Sequence, residues 1–138
     1  MVFNGCKPLG VLAMTILSVG LGSFSTPSYA QYQTNTDDVA LLFCSYIQTN
    51  DSTSFRNTLR EQRLRLRDIY PRIRCNNYSM IQFATVSGSH EIGRFIAHSV
   101  LVEDMQSVGD INWIQQLEAT DPIAEVVRQR YQEAQYLD

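Results

Sequence analysis

The chain has 138 residues, with eleven lysines and arginines against fourteen aspartates and glutamates, a formal net charge of −3, and 44% hydrophobic residues. A mildly acidic surface excludes a protein that binds nucleic acid as a whole, and the length suits one small domain with a modest core.

The first thirty residues read as a secretory signal peptide. Lys7 and the amino terminus supply the positive start, "LGVLAMTILSVGLGSF" from Leu9 to Phe24 is the apolar run, and "STPSYA" follows. Ser28 and Ala30 are the small residues that a peptidase needs, which places the cut between Ala30 and Gln31. The alternative is an uncleaved anchor. Gly and Ser dilute the run, however, and it falls short of the roughly 20 apolar residues of a spanning helix. No cysteine stands at the cut, so no lipid modification is expected there. Removal of residues 1–30 takes away Lys7, the only lysine, and leaves ten arginines against the fourteen acids. No second run is long enough to act as a membrane anchor after cleavage.

Residues 31–36 form a polar arm, and a single helical domain is expected over 37–138. Thr36 is placed to cap a first helix whose opening turn holds Asp37 and Asp38, where carboxylates favour the helix dipole. "VALLFCSYIQ" is apolar nearly all round, as in a buried helix. "TNDSTS" breaks it, and Asp51 or Ser52 can cap a second helix with Phe55 and Leu59 on its inner face.

"REQRLRLRDIYPRIRC" fits two periods. Leu64 and Leu66 alternate with arginines as in a half-buried strand, whereas Leu59, Leu66 and Ile69 would extend one helical face. Helix is favoured, because no turn residue intervenes before Pro71, which should end any regular element.

"CNNYS" reads as a turn in which Asn76 or Asn77 goes left-handed, with Ser79 capping the helix "MIQFATV". Ser87-Gly88 ends that helix, and Ser89 can cap "HEIGRFIAHSVLV", whose inner positions are Ile92, Phe95, Ile96 and Val100. Gly93 within it either weakens the helix or admits a close neighbour. "SVGD" is another turn, and "INWIQQLE" is a short helix burying Ile111, Ile114 and Leu117 beside Trp113. Asp121 caps the last helix with Pro122 at its first position, and Ile123, Val126, Val127, Tyr131 and Ala134 make one stripe. The fold class is therefore all-α: a small bundle of five or six helices built from helix–turn–helix hairpins.

Of three cysteines, Cys6 leaves with the signal, and Cys44 and Cys75 permit one pairing. In an oxidising compartment a structural disulfide is the expectation. Closing such a loop is worth about 3.5–4 kcal/mol in the chain-entropy model. Two buried thiols or a cycling redox pair are the alternatives, although the spacing is unlike C-x-x-C.

"SMIQFATVSGSHEIGRFI", Ser79 to Ile96, resembles the helical part of an ankyrin repeat. Ser79 stands at the Thr cap, Ile81 at the Leu, Ala84 at the first Ala, Gly88 at the inter-helix Gly, and Glu91-Ile92 at the acidic and apolar pair. Met80, Gln82 and Asn77 depart from the Pro, His and Gly of that pattern. "ALLFCSYIQTNDSTSFRNTL" has a similar rhythm about 37 to 39 residues earlier but lacks the Gly. The resemblance implies stacked hairpins. The paired cysteines, the "RCNN" turn and the export signal also resemble uncharacterised families of small secreted proteobacterial proteins. That likeness implies a periplasmic or secreted location and carries no function.

Chemistry is sparse. His90 and His98 are eight residues apart, about 12 Å on one helix, too far to share a metal ion. The serines fall at caps and turns, and G-x-S-x-G and phosphate-binding glycine loops are absent. Asp37-Asp38 and Glu103-Asp104 read as solvated helix ends. No enzyme activity, metal or cofactor is expected.

The functional lead is the run of arginines at 56, 60, 63, 65, 67, 72 and 74 against only Glu61 and Asp68. Read as one helix, Arg56, Arg60, Arg63 and Arg67 share a side, and arginine favours bidentate pairing with carboxylates or phosphates. An adaptor that docks an acidic protein or another polyanionic envelope component is the expected function. The competing reading is an accessory envelope protein with a structural or stress role and no discrete site, its arginines a solvated face partly paired with Glu103, Asp104, Asp110, Glu118 and Glu125. Oligomeric state is open in both.

Overall fold

The computed structural model describes residues 36–137. The signal peptide expected at 1–30 and most of the arm expected at 31–36 lie outside the described residues. Thr36 is the first residue of the first helix, not the residue before it.

Eight α-helices and one 3-10 turn make up the described residues, with no named strand among them. They are α1 (Thr36–Gln48), α2 (Ser52–Glu61), α3 (Leu66–Ile69), the 3-10 turn Tyr70–Arg72, α4 (Met80–Val86), α5 (His90–Ser99), α6 (Val102–Ser107), α7 (Asp110–Ile114) and α8 (Pro122–Gln135). The all-α bundle stands, with more and shorter helices than the sequence pattern suggests. Three local endings account for the difference.

The first is at Arg63. α2 does not run on to Pro71: it stops at Glu61, and Arg63 takes φ 53°. Leu64 N donates to Leu59 O at 2.8 Å and Arg63 N to Arg60 O at 3.1 Å. That is the Schellman pattern, with an arginine in the left-handed position usually given to glycine. Pro71 then falls inside the 3-10 turn and does not terminate it, because its missing N–H is not needed so near a helix start.

The second ending is at Val100, where the backbone becomes extended although neither Gly nor Pro is near. Arg130 reaches across from α8, and its Nη1 donates to Ala97 O at 2.6 Å and also to Val100 O. A guanidinium thus occupies carbonyls that a continuing helix would have satisfied. The third is similar. Arg128 Nη2 donates to Ile114 O at 2.8 Å and Leu117 O at 3.1 Å, so α7 closes at Ile114 and does not reach Glu118.

Two hairpins, α1–α2 and α4–α5, are joined at their turns. Asn50 (φ 53°) and Gly88 (φ 68°) are the left-handed residues of the two turns. Asn50 Oδ1 accepts from Ile92 N at 3.3 Å, so the α1–α2 turn supplies a cap for α5. Ser89, expected to cap α5, instead donates its hydroxyl to Ile47 O. Ser52 donates to Glu91 across the same seam. The caps at Asp51, Ser79 and Asp121 are as the sequence indicates, and Ser79 and Gln82 form a full capping box.

The core gathers Phe43 and Ile47 of α1, Phe55 of α2, Ile81 of α4, Ile92 and Ile96 of α5 and Ile123 of α8, all fully buried. Each such side chain contributes about 1.5–3 kcal/mol by leaving water. Phe43 meets Phe55 edge-on at 4.7 Å, and Phe55 meets Phe95 at 6.1 Å. Gly93 is where α5 closes on its neighbours. A Cβ there would lie 2.3 Å from Ile123 Cδ1 and 3.0 Å from Ala84 Cβ, so close approach is what this glycine provides. A disulfide joins Cys44 of α1 to Cys75 before α4, with the Cα atoms 5.6 Å apart. No helix among the described residues is long and apolar enough to cross a membrane.

Candidate anion-binding face

The break at Arg63 splits the arginine cluster. Arg56 and Arg60 lie one turn apart on α2, Arg63 stands alone in its left-handed turn, and Arg67 belongs to α3, where it meets Asp68 at 3.9 Å. All seven arginines from 56 to 74 are exposed. The single helical side expected for Arg56, Arg60, Arg63 and Arg67 is therefore not formed.

The structure gathers a different set. The Arg56 guanidinium sits 4.3 Å from the centroid of the Phe95 ring, a cation–π contact that sets the cation against α5. On one flank of this stack is a shallow groove of 510 Å³ lined by Thr53, Asn57 and Arg60. On the other is one of 280 Å³ lined by Glu91, Arg94 and His98. Arg60 donates to Asn57 Oδ1, which fixes its direction along α2. Arg56, Arg60 and Arg94 have no carboxylate within ion-pair distance among the described residues; Arg67–Asp68 is the one such pair there. Three guanidinium groups on a rigid two-helix platform suit carboxylate or phosphate oxygens.

Sequence reasoning missed Arg94 and Phe95 as parts of this face. The signal was the offset of 37 to 39 residues between the two hairpins, which sets Arg94 in α5 where Arg56 stands in α2. Arg63 pays for its conformation: a non-glycine residue in the left-handed region costs about 1 kcal/mol. Arg63→Gly is accordingly expected to raise stability by about 0.5–1 kcal/mol. Urea unfolding checks it, and an unchanged or lowered midpoint would show that the turn is not strained.

A second polar cluster is internal. Asp110, read from the sequence as part of a turn and, in the competing reading, as a partner of the arginines, is fully buried. It accepts from the Tyr70 hydroxyl, from Ser79 Oγ at 2.5 Å and from Gln82 Nε2 at 3.0 Å. Burial raises its carboxyl above the usual carboxylate range, against the lowering effect of these three donors and of Arg74. Burial, then the Asp110 charge, pushes the Tyr70 phenol upward. The cluster ties the 3-10 turn, α4 and α7 together and opens on no groove described above.

His90 and His98 lie near opposite ends of α5, and both are exposed. Among the described residues, no three His, Cys, Asp or Glu side chains converge as a metal site would require.

A family model described as "Protein of unknown function (DUF3718)" matches residues 43–107. The matched span holds both disulfide cysteines, the second half of α1, all of α2, α4 and α5, and the arginine face, and stops short of Asp110 and α8. No curated protein and no solved structure matches the chain.

Proposed function

We propose that this chain is an exported, non-catalytic adaptor that docks an acidic protein surface on the α2–α5 face. The observation that carries the reading is the set Arg56, Arg60 and Arg94 around Phe95, exposed and without carboxylate partners among the described residues. Export is supported by the leader-like residues 1–30 and by the Cys44–Cys75 disulfide, which an oxidising compartment maintains. A binding role is supported over catalysis by the placement of serines at caps and of the two histidines at opposite ends of one helix. The paired hairpins support the ankyrin likeness as one of shape, with Asn50 standing where that pattern has glycine.

The test uses fluorescently labelled polyglutamate as the acidic probe and follows binding by anisotropy over a range of salt. Three exposed contacts at about 0.5–1 kcal/mol each amount to roughly tenfold or more in affinity. The triple variant Arg56→Gln, Arg60→Gln, Arg94→Gln should lose that much, and wild-type binding should weaken as salt rises. Equal affinity of wild type and variant would remove the docking role and leave the accessory reading with no discrete site.

A further inference from the structure

The acidic surface that fits this arginine face is present on the same molecule, in a place it cannot reach internally. α5 separates the two. Its Glu91 and Phe95 meet α2, through Ser52 and Phe55. Its Gly93 and Ala97 meet α8, through Ile123 and Arg130. Residues two apart on a helix point about 200° from each other, so α2 and α8 occupy opposite flanks of α5.

The α8 flank is anionic. Glu118, Glu125 and Glu133 are exposed there, as is Glu103 on α6. Glu125 and Glu133 are two turns apart on α8, about 12 Å. Arg128 and Arg130, held on the carbonyls of Ile114 and Ala97, keep their charge and offset the glutamates in part, which leaves the four glutamates against two arginines. None of these glutamates lies within ion-pair distance of an arginine among the described residues.

We propose that the arginine face of one copy docks on the α8 flank of a second copy, joining molecules head to tail. This rests on the reading that the arginine face takes an anionic partner, and it names that partner. The two patches are different surfaces, so the contact is heterologous and leaves a free face at each end of a pair. Complementary charge speeds the encounter, and salt screens it over a Debye length of about 10 Å at 0.1 M.

Sedimentation velocity on the mature chain tests this over a range of protein concentrations, at about 0.02 M and about 0.5 M salt. Two variants accompany it: Arg56→Gln, Arg60→Gln, Arg94→Gln, and Glu118→Gln, Glu125→Gln, Glu133→Gln. All six substitutions are at exposed positions or on helix surfaces, and matching unfolding midpoints confirm the folds. The wild type should grow in mass with concentration at low salt and return to monomer at high salt. Each variant alone should stay monomeric, and an equimolar mixture should give a dimer and nothing larger, since each contributes one intact face. A wild type that remains monomeric at low salt overturns the proposal, as does a mixture that forms no dimer. Polyglutamate binding by such a monomer would leave the docking face standing with another partner. Its capture by vesicles of anionic lipid would assign the face to a membrane surface and overturn the second-copy partner. Loss of polyglutamate binding would remove both.

Discussion

Replacing Asp110 with alanine is expected to destabilise the fold by about 2–4 kcal/mol, since each buried polar group left without a partner costs about 1–3 kcal/mol. Tyr70 and Ser79 are both buried and both donate to this carboxylate. Gln82 is half-buried and can turn to water, so its loss adds little. A small domain has only about 5–15 kcal/mol in total, and the variant should unfold at markedly lower urea. Asp110→Asn keeps the shape and one acceptor, and should cost less.

The two variants also separate charge from shape. The Asp110 carboxyl is raised by burial above its unfolded value. Between those two values the folded state holds a proton that the unfolded state has released. The associated stability is fully present below the ordinary carboxylate range near pH 4 and is lost as pH rises through the folded value. Wild-type stability should therefore fall with rising pH across that window, while Asp110→Asn should lack this component. Parallel pH profiles for the two proteins would show that burial does not govern this carboxyl.

Opening the Cys44–Cys75 disulfide should cost about as much. The bridged residues are 31 apart, and removing that constraint from the unfolded chain amounts to about 3.5–4 kcal/mol. The double variant Cys44→Ser, Cys75→Ser, or the wild type with a reductant present throughout, should unfold at lower urea by a corresponding shift. A midpoint indifferent to reductant, or free thiols at Cys44 and Cys75 by mass analysis, would contradict the crosslink.

Much of the fold was legible because it is encoded locally. Asp51, Ser79 and Asp121 precede apolar periodic runs, and the α8 stripe from Ile123 to Ala134 repeats at helical spacing. Those features decide helix existence and need no knowledge of neighbours. The endings at Val100 and Ile114 were not legible, because the groups that permit them, Arg130 and Arg128, come from a helix later in the chain. Arg63 was missed because a left-handed residue is expected to be Gly or Asn. The cue that remained was apolar Leu64 five residues after Leu59, the usual contact of a Schellman ending. The candidate site was half legible. The arginine composition pointed to α2, but only the packing of Phe95 under Arg56 brings Arg94 into the same face. Asp110 gave the opposite lesson: its surroundings in sequence are those of a surface turn, and its partners at 70, 79 and 82 are brought to it only by folding.

The sulfur bridge encloses α2, α3 and the 3-10 turn in one covalent ring. A protease that nicks the backbone once anywhere inside that ring, the exposed Arg63 turn included, releases no fragment. The cut chain would migrate whole on a non-reducing gel and separate into two bands only after reduction.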